Sequence, residues 1–386
     1  MNEPLTPRRI MESPPGPETV IDGRQYVYFG GTSYLGLHGH PDIIEAACTA
    51  MRKYGIHTAT SRRGFGNNPV TLEAERLAAA YFGTAGAFYF PSGYFGTTTL
   101  IHALGDTFDL ILADEHCHFS VMEAAPLPGR PIHRFPHCDP DGLAAALREH
   151  VPVSTRPLVL TDGVFSSTGE IAPVDAYLTV LRARPGATIL LDDAHGVGTV
   201  GENGRGTLDH LGLWSDRVNA DASECPPNST RLCFCGTLSK ALGGFGGIIP
   251  GTTAFINRLR SASHLFDGAS APPTAAAAAT ARALQIVMAR PEIRARLRRN
   301  VLHLRQGLRD LGITVADSPA PIVSARCGTG ERMQRLHEEL KEQGFLVPHT
   351  RNYTGVGPEG HMRIAVCAGH TQEMIDGLLA ALRRLL

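Results

Sequence analysis

The segment Gly236-Thr237-Leu238-Ser239-Lys240-Ala241-Leu242-Gly243-Gly244 places a lysine directly after an apolar run, amid hydroxyls and glycines. An ammonium is costly to desolvate there, so a low-dielectric site lowers the amine's pKa and makes it the nucleophile that Schiff-base chemistry requires. Thr237 and Ser239 offer hydroxyls to a phosphate, and the following glycines let backbone approach closely. Alone, the segment also reads as a surface lysine in a turn. Leu190-Leu191-Asp192-Asp193-Ala194-His195-Gly196 changes that balance: an apolar run delivers a carboxylate and, three residues on, an imidazole. A buried carboxylate keeps a pyridine nitrogen protonated, the state in which pyridoxal 5′-phosphate (PLP) is an effective electron sink. The three residues together point to PLP held on Lys240, with Asp192 at the pyridine nitrogen and His195 at the ring hydroxyl.

Short β-rich runs alternating with helical stretches predict an α/β fold with a parallel sheet. The expected strands are Ala87–Phe90, Leu110–Ala113, Leu158–Thr161, Thr188–Leu191 and Leu232–Cys235, with helices such as Leu143–His150 and Val174–Arg184 between them. Each strand is followed at once by a polar cluster: Ser92 to Tyr94, Asp114 to His118, Asp162 to Ser166, Asp192 to His195, and Thr237 to Lys240. Ligands in open α/β sheets bind beyond the carboxyl ends of the strands, so five clusters converge on one rim. Asp216–Thr230 reads as a surface loop. Beyond Phe255 the texture changes to helices at Ala275–Met288, Pro291–Leu311 and Thr371–Leu386, with short strands near Ile322–Ser324 and Met362–Val366. The expected organisation is an N-terminal arm (1–40) packing with the small domain, a large cofactor-binding domain (41–255) and a small C-terminal domain (256–386).

Composition narrows the classes. The 386 residues carry a formal net charge of −1, which gives no electrostatic support for nucleic-acid binding. No run approaches a membrane span, and the Pro-rich, charged start has no signal-peptide core, so a cytoplasmic protein is expected. The 8 cysteines are scattered and lack zinc-ligand spacing, which predicts reduced thiols and no metal.

The pairing of D-D-A-H-G-x-G with G-T-L-S-K-A-L-G-G resembles the α-oxoamine synthase family of fold-type I PLP enzymes, and the likeness covers nearly the whole chain. Tyr34-Leu35-Gly36-Leu37 is similar to the family's Y-L-G-L, and Thr60-Ser61-Arg62 with Leu72-Glu73 to its S-R…L-E. Asp114 to Ser120 resembles D-x-x-x-H-x-S, Asp162 to Ser166 resembles E-G-V-F-S, and Arg363 lies in a late M-R-I. The resemblance implies a mostly parallel seven-stranded sheet flanked by helices, plus a smaller α/β domain. It implies that His118 stacks on the cofactor ring and that Ser92, Gly93, Tyr94 and Thr237 hold the phosphate, with Ser239 beside them. Ser166 would lie near the ring hydroxyl or substrate, and Arg363 would grip a substrate carboxylate, with Thr32 also on the substrate side. The chain departs from the family at Thr32 (usually Asn), at Pro69 (commonly His), and at Gly268-Ala269, where a phosphate-binding Thr pair from the neighbouring subunit is usual.

The implied activity is condensation of an α-amino acid with an acyl thioester, on CoA or a carrier protein, with decarboxylation to an α-aminoketone. Lys240, His118, Asp192 and His195 would be the catalytic groups. An aminotransferase, lyase or cyclase on the same scaffold is the alternative, and a catalytically silent binding protein a third reading. The family also implies a homodimer with shared active sites. Substrate-pocket residues are expected from Thr58–Asn68 and His349–Gly357.

Overall fold

A computed structural model describes residues 9–152, 154–226 and 229–386; residues 1–8 of the expected arm and 227–228 of the expected loop lie outside them. The chain opens with a hairpin, β1 (Glu18–Ile21) and β2 (Arg24–Tyr28). Its two-residue turn is Asp22-Gly23, both at positive φ (51° and 74°), the backbone that matches the twist of a tight hairpin.

Seven strands form the central sheet: β3 (Gly86–Phe90), β4 (Leu110–Asp114), β5 (Ile132–Phe135), β6 (Pro157–Asp162), β7 (Thr188–Asp192), β8 (Arg231–Thr237) and β9 (Gly247–Gly251). Their order is β3-β9-β8-β7-β6-β4-β5, with β9 antiparallel to both neighbours and the other pairings parallel. Every residue of β4, β6 and β7 is buried, because helices cover both faces of the sheet. Ile189 and Leu191 enter the larger core while Leu190 enters the smaller one on the opposite face. The side chain of buried Asn219 ties β8 to β9, accepting from Phe234 N at 2.8 Å and donating to Pro250 O at 2.6 Å.

The C-terminal part has a three-stranded sheet of β10 (Ile322–Ala325), β12 (His349–Thr350) and β13 (His361–Ala365), with β13 in the middle. Strand β11 (Phe345–Leu346) instead pairs parallel with β2. Helices Glu292–Asp310, Gly330–Glu342 and Gln372–Leu385 bury apolar stripes such as Leu297, Val301, Leu304 and Leu308. The boundary expected at 255/256 falls inside helix Thr253–Ala262, whose Phe255, Ile256 and Leu259 are buried with Phe88 and Phe90 against the large sheet. Among the described residues, no helix is long and apolar enough to cross a membrane.

Candidate active site

Parallel topology brings the carboxyl ends of β4, β6, β7 and β8 to one rim, and the polar clusters face a cavity of about 590 Å³ there. Asp162 and Asp192 are the last residues of β6 and β7 and are register partners. Asp192 lines the cavity and accepts from Ala194 N at 3.2 Å. Its neighbour Asp193 turns the other way and is held by the hydroxyl of Thr207 at 3.0 Å, which leaves Asp192 as the carboxylate available to a ligand.

Lys240 enters the same space from the turn after β8. Burial lowers its pKa from 10.5 to about 8, against the opposing pull of Asp192 and Asp162. Its Nζ lies 2.7 Å from His195 Nε2, and His195 Nδ1 lies 2.8 Å from Tyr34 Oη. Burial, then the charges of Lys240 and Arg363, holds His195 well below its ordinary pKa, as a neutral imidazole. His195 thus faces the amine directly in this geometry.

His118 caps the short helix Phe119–Ala124. Its Nδ1 accepts from Ser120 N at 3.2 Å, so its proton is on Nε2, which lies 3.0 Å from Tyr353 Oη. Its own amide donates to Asp162 Oδ1 at 3.1 Å, tying the start of that helix to the end of β6.

At the other end of the cavity, Ser92 accepts from Tyr94 N at 3.3 Å, and Gly93–Phe95 leads into helix Gly96–Leu104, whose amides favour an anion. A Cβ at Gly93 would stand 2.8 Å from Thr237 Cβ and 2.9 Å from its hydroxyl, so glycine keeps this cradle open. Thr237 and Ser239 are anchored on Gly246, Thr237 Oγ1 donating to its carbonyl at 2.8 Å and Ser239 Oγ accepting its amide at 2.8 Å. Tyr94 donates to Glu123 at 2.6 Å.

Arg363 projects from the middle of β13, donating from Nε to Ser166 O at 2.8 Å, with Nη2 3.4 Å from Tyr34 Oη. Thr32 and Ser166 line the cavity beside it. Every residue singled out in the sequence for catalysis or binding therefore borders one space. Of the two stretches expected to supply a substrate pocket, His349–Gly357 contributes Thr350 and Tyr353, whereas Thr58–Asn68 contributes none. Pro69, Gly268 and Ala269 do not border it either. Tyr34, Asp162 and Tyr353 carry no individual signal in the sequence, although Tyr34 stands in the Y-L-G-L motif and Asp162 opens the cluster at the end of β6.

The donor set fits PLP: a buried carboxylate, a lysine of lowered pKa, an imidazole beside that lysine, and a helix-start cradle with no room for a side chain. Asp192, Lys240 and the Ser92–Tyr94 turn with Thr237 are the residues that would hold its nitrogen, aldehyde carbon and phosphate.

Residues 24–382 match the family described as aminotransferase class I and II. An 8-amino-7-oxononanoate synthase of Methylococcus capsulatus is 37% identical over 376 residues, covering 97% of this chain and 93% of its own length. Another, from Pseudomonas putida, is 33% identical over 375 residues, with coverage of 97% and 92%. Among solved structures, a Sphingomonas wittichii serine palmitoyltransferase aligns with a TM-score of 0.86 at 28% identity, covering 98% of this chain and 91% of that one. An S. paucimobilis serine palmitoyltransferase with PLP and myriocin bound aligns at 0.87 and 26% identity, covering 98% and 92%.

Proposed function

The chain belongs to the aminotransferase class I and II family, in its α-oxoamine synthase branch, and from that premise we propose that it is a PLP-dependent acyltransferase of the 8-amino-7-oxononanoate synthase type. It joins an α-amino acid to an acyl thioester, releasing the thiol and CO₂ and leaving an α-aminoketone. The relatives' product suggests the substrates: a methyl and an amine on adjacent carbons come from alanine, and the remaining chain from a seven-carbon dicarboxylic acid activated at one end.

The observation that carries this reading is the placement of Lys240 between Asp192, Asp162 and His195 at the sheet rim. PLP, when bound, supplies an electron sink for charge developing at the amino acid's α-carbon. Asp192, buried and acidic, is suited to hold a proton on the pyridine nitrogen. Lys240, with its lowered pKa, is suited both to carry the cofactor and to take the α-proton once free. Arg363 orients the substrate carboxylate with its planar fork. His118, held on Ser120 and Tyr353, would offer the flat face of its imidazole to the cofactor ring.

The enzyme would work as a cytoplasmic homodimer. Support for two subunits comes from the exposed apolar side chains Ile56 (69% exposed) and Phe65 (93%), on or beside the 58–68 segment, which does not border the site cavity. Light scattering that returns a monomer mass would remove that part of the proposal. The activity itself is tested by incubating PLP-loaded protein with alanine and the CoA thioester of heptanedioic acid. Thiol and CO₂ must both be released; keto acid formed without thiol would establish an aminotransferase instead.

A further inference from the structure

Tyr353 stands on the connection between β12 and β13, and its side chain reaches across to the rim of the large sheet. The turn that carries it is closed by Val356 N, which donates to Tyr353 O at 2.7 Å. It is pinned to the large sheet's loops at two further points. Ser167 Oγ donates to Thr354 O at 3.0 Å. Gly355, at φ 71°, lies so close to His116 that a Cβ would stand 2.7 Å from its Nδ1. The Tyr353 ring itself packs edge-on against Phe119, with centroids 5.2 Å apart. The phenol is thus held in one place before any ligand arrives.

Hydrogen-bond direction decides where its hydrogen points. The Ser120 amide donates to His118 Nδ1 at 3.2 Å, so neutral His118 carries its hydrogen on Nε2 and donates it to Tyr353 Oη at 3.0 Å. A phenolic hydrogen lies near the plane of its ring, on one side of the oxygen or the other. The incoming Nε2–H occupies the side facing His118, so the Tyr353 hydrogen takes the opposite side. Among the described residues His118 is the one hydrogen-bond partner of this hydroxyl, which leaves its hydrogen for a ligand in the cavity that Tyr353 lines. Tyr94, the other phenol lining the cavity, spends its hydrogen on Glu123 at 2.6 Å.

The reacting ends of the two substrates bring a carboxylate, which Arg363 takes, and a thioester carbonyl, which needs a donor of its own. Charge develops on that carbonyl oxygen. As the amino acid's α-carbon bonds to the carbonyl carbon, the C=O electron pair moves onto oxygen. The pair returns to carbon as the C–S bond breaks, and sulfur leaves as a thiolate that takes a proton from solvent. We infer that Tyr353 donates a hydrogen bond to the thioester's carbonyl oxygen, the phenol keeping its proton throughout, with His118 as the residue that positions it. The inference rests on the proposed acyl transfer and deepens it by naming a group that acts on the acyl donor. A donor fixed beforehand stabilises such an oxyanion without having to reorganise during the reaction.

The test separates the amino-acid half of the reaction from the acyl half. Exchange of alanine's α-hydrogen in deuterium oxide needs PLP-loaded protein and no thioester; thiol release needs both substrates. Tyr353→Phe keeps the ring and removes only the hydroxyl. It should load the cofactor and exchange alanine's hydrogen at close to the native rate, with thiol release lowered about 10²-fold in kcat, the scale of a lost oxyanion donor. A second readout needs no turnover: the infrared carbonyl stretch of an isotope-labelled thioester bound to PLP-loaded protein without amino acid. That stretch should lie at lower frequency in the native protein than in Tyr353→Phe. Equal losses of exchange and thiol release, or a variant that does not load, would make Tyr353 a prop for His118 or for the carboxylate and overturn the inference. Unchanged thiol release or equal carbonyl frequencies overturn it too. Native protein that exchanges alanine's hydrogen but releases no thiol overturns the proposed function instead, before any variant is made.

Discussion

Asp162 and Asp192 are register partners on adjacent parallel strands, so two buried carboxylates stand side by side facing a single ammonium, that of Lys240. Neighbouring negative charges in a poor solvent cannot both be held cheaply. Burial and then the charge of Asp192 push Asp162 well above the usual carboxylate range, while the rise at Asp192 is opposed by Lys240. The division of labour follows: Asp162 holds the His118 amide, and Asp192 keeps the charge.

Removing that charge should therefore matter at one position and little at the other. Asp162→Asn retains a carbonyl for the His118 amide and is expected to cost less than about tenfold in kcat. Asp192→Asn loses the partner for the pyridine nitrogen and should cost about 10²-fold or more, the scale of a lost acid–base group. Steady-state kinetics of both variants decide it, and equal losses would contradict the assignment.

The pH dependence of turnover should report Lys240. The amine takes a proton only when neutral, and burial brings its pKa to about 8 from 10.5. With the folded value depressed, the neutral fraction grows as pH rises through about 8, so kcat should climb across that point and level off above it. An ascending limb that begins only near the ordinary lysine value would contradict the role.

Gly93→Ala should weaken cofactor binding without unfolding the protein. The added methyl would meet Thr237 Cβ at 2.8 Å and Oγ1 at 2.9 Å. Overpacking of this kind costs about 1–3 kcal/mol, or roughly 5- to 150-fold in affinity if it falls on the bound state. PLP titration of the apoprotein followed by absorbance measures it, with circular dichroism expected to stay unchanged.

Stability should hinge on a buried ion pair away from the chemistry. Arg62 is bidentate on Glu75, at 2.6 and 3.0 Å, and also donates to Tyr89 O at 3.0 Å, tying the 58–68 segment to helix Pro69–Phe82 and to β3. Glu75→Ala leaves a guanidinium buried and unpaired, and is expected to cost about 3–5 kcal/mol in denaturant unfolding. Glu73→Ala, whose partner Arg76 is exposed, should cost less than about 1 kcal/mol.

Strand ends were readable because parallel strands buried on both faces announce themselves as continuous apolar runs, and topology alone then gathers their carboxyl ends. Strand β9, Gly-Ile-Ile-Pro-Gly, was not readable: its glycines and proline signal a turn, and it is a strand because β3 and β8 flank it and Asn219 anchors Pro250. Strand β5, Ile-His-Arg-Phe, lies at the sheet edge, where three of its four residues stay partly exposed and the apolar signal is weak. Within the site, Asp192 ends β7, and His195 and Lys240 each come three residues beyond the end of a strand. Tyr34 and Tyr353 arrive from the arm and from the loop before β13, and only tertiary packing brings those phenols against His195 and His118. The S-R…L-E motif shows a finer limit: helical geometry turns Glu73 outward and gives the buried arginine to Glu75.

The pairing of β2 with β11 sets a schedule for synthesis. Phe345–Leu346, the parallel neighbour of Arg24–Tyr28, is translated more than three hundred residues after it. At ordinary elongation rates that is a wait of roughly 15–60 s. Throughout it the hairpin offers an unpaired edge to any nascent chain nearby, so a segment made long before its neighbour is among the last to be locked.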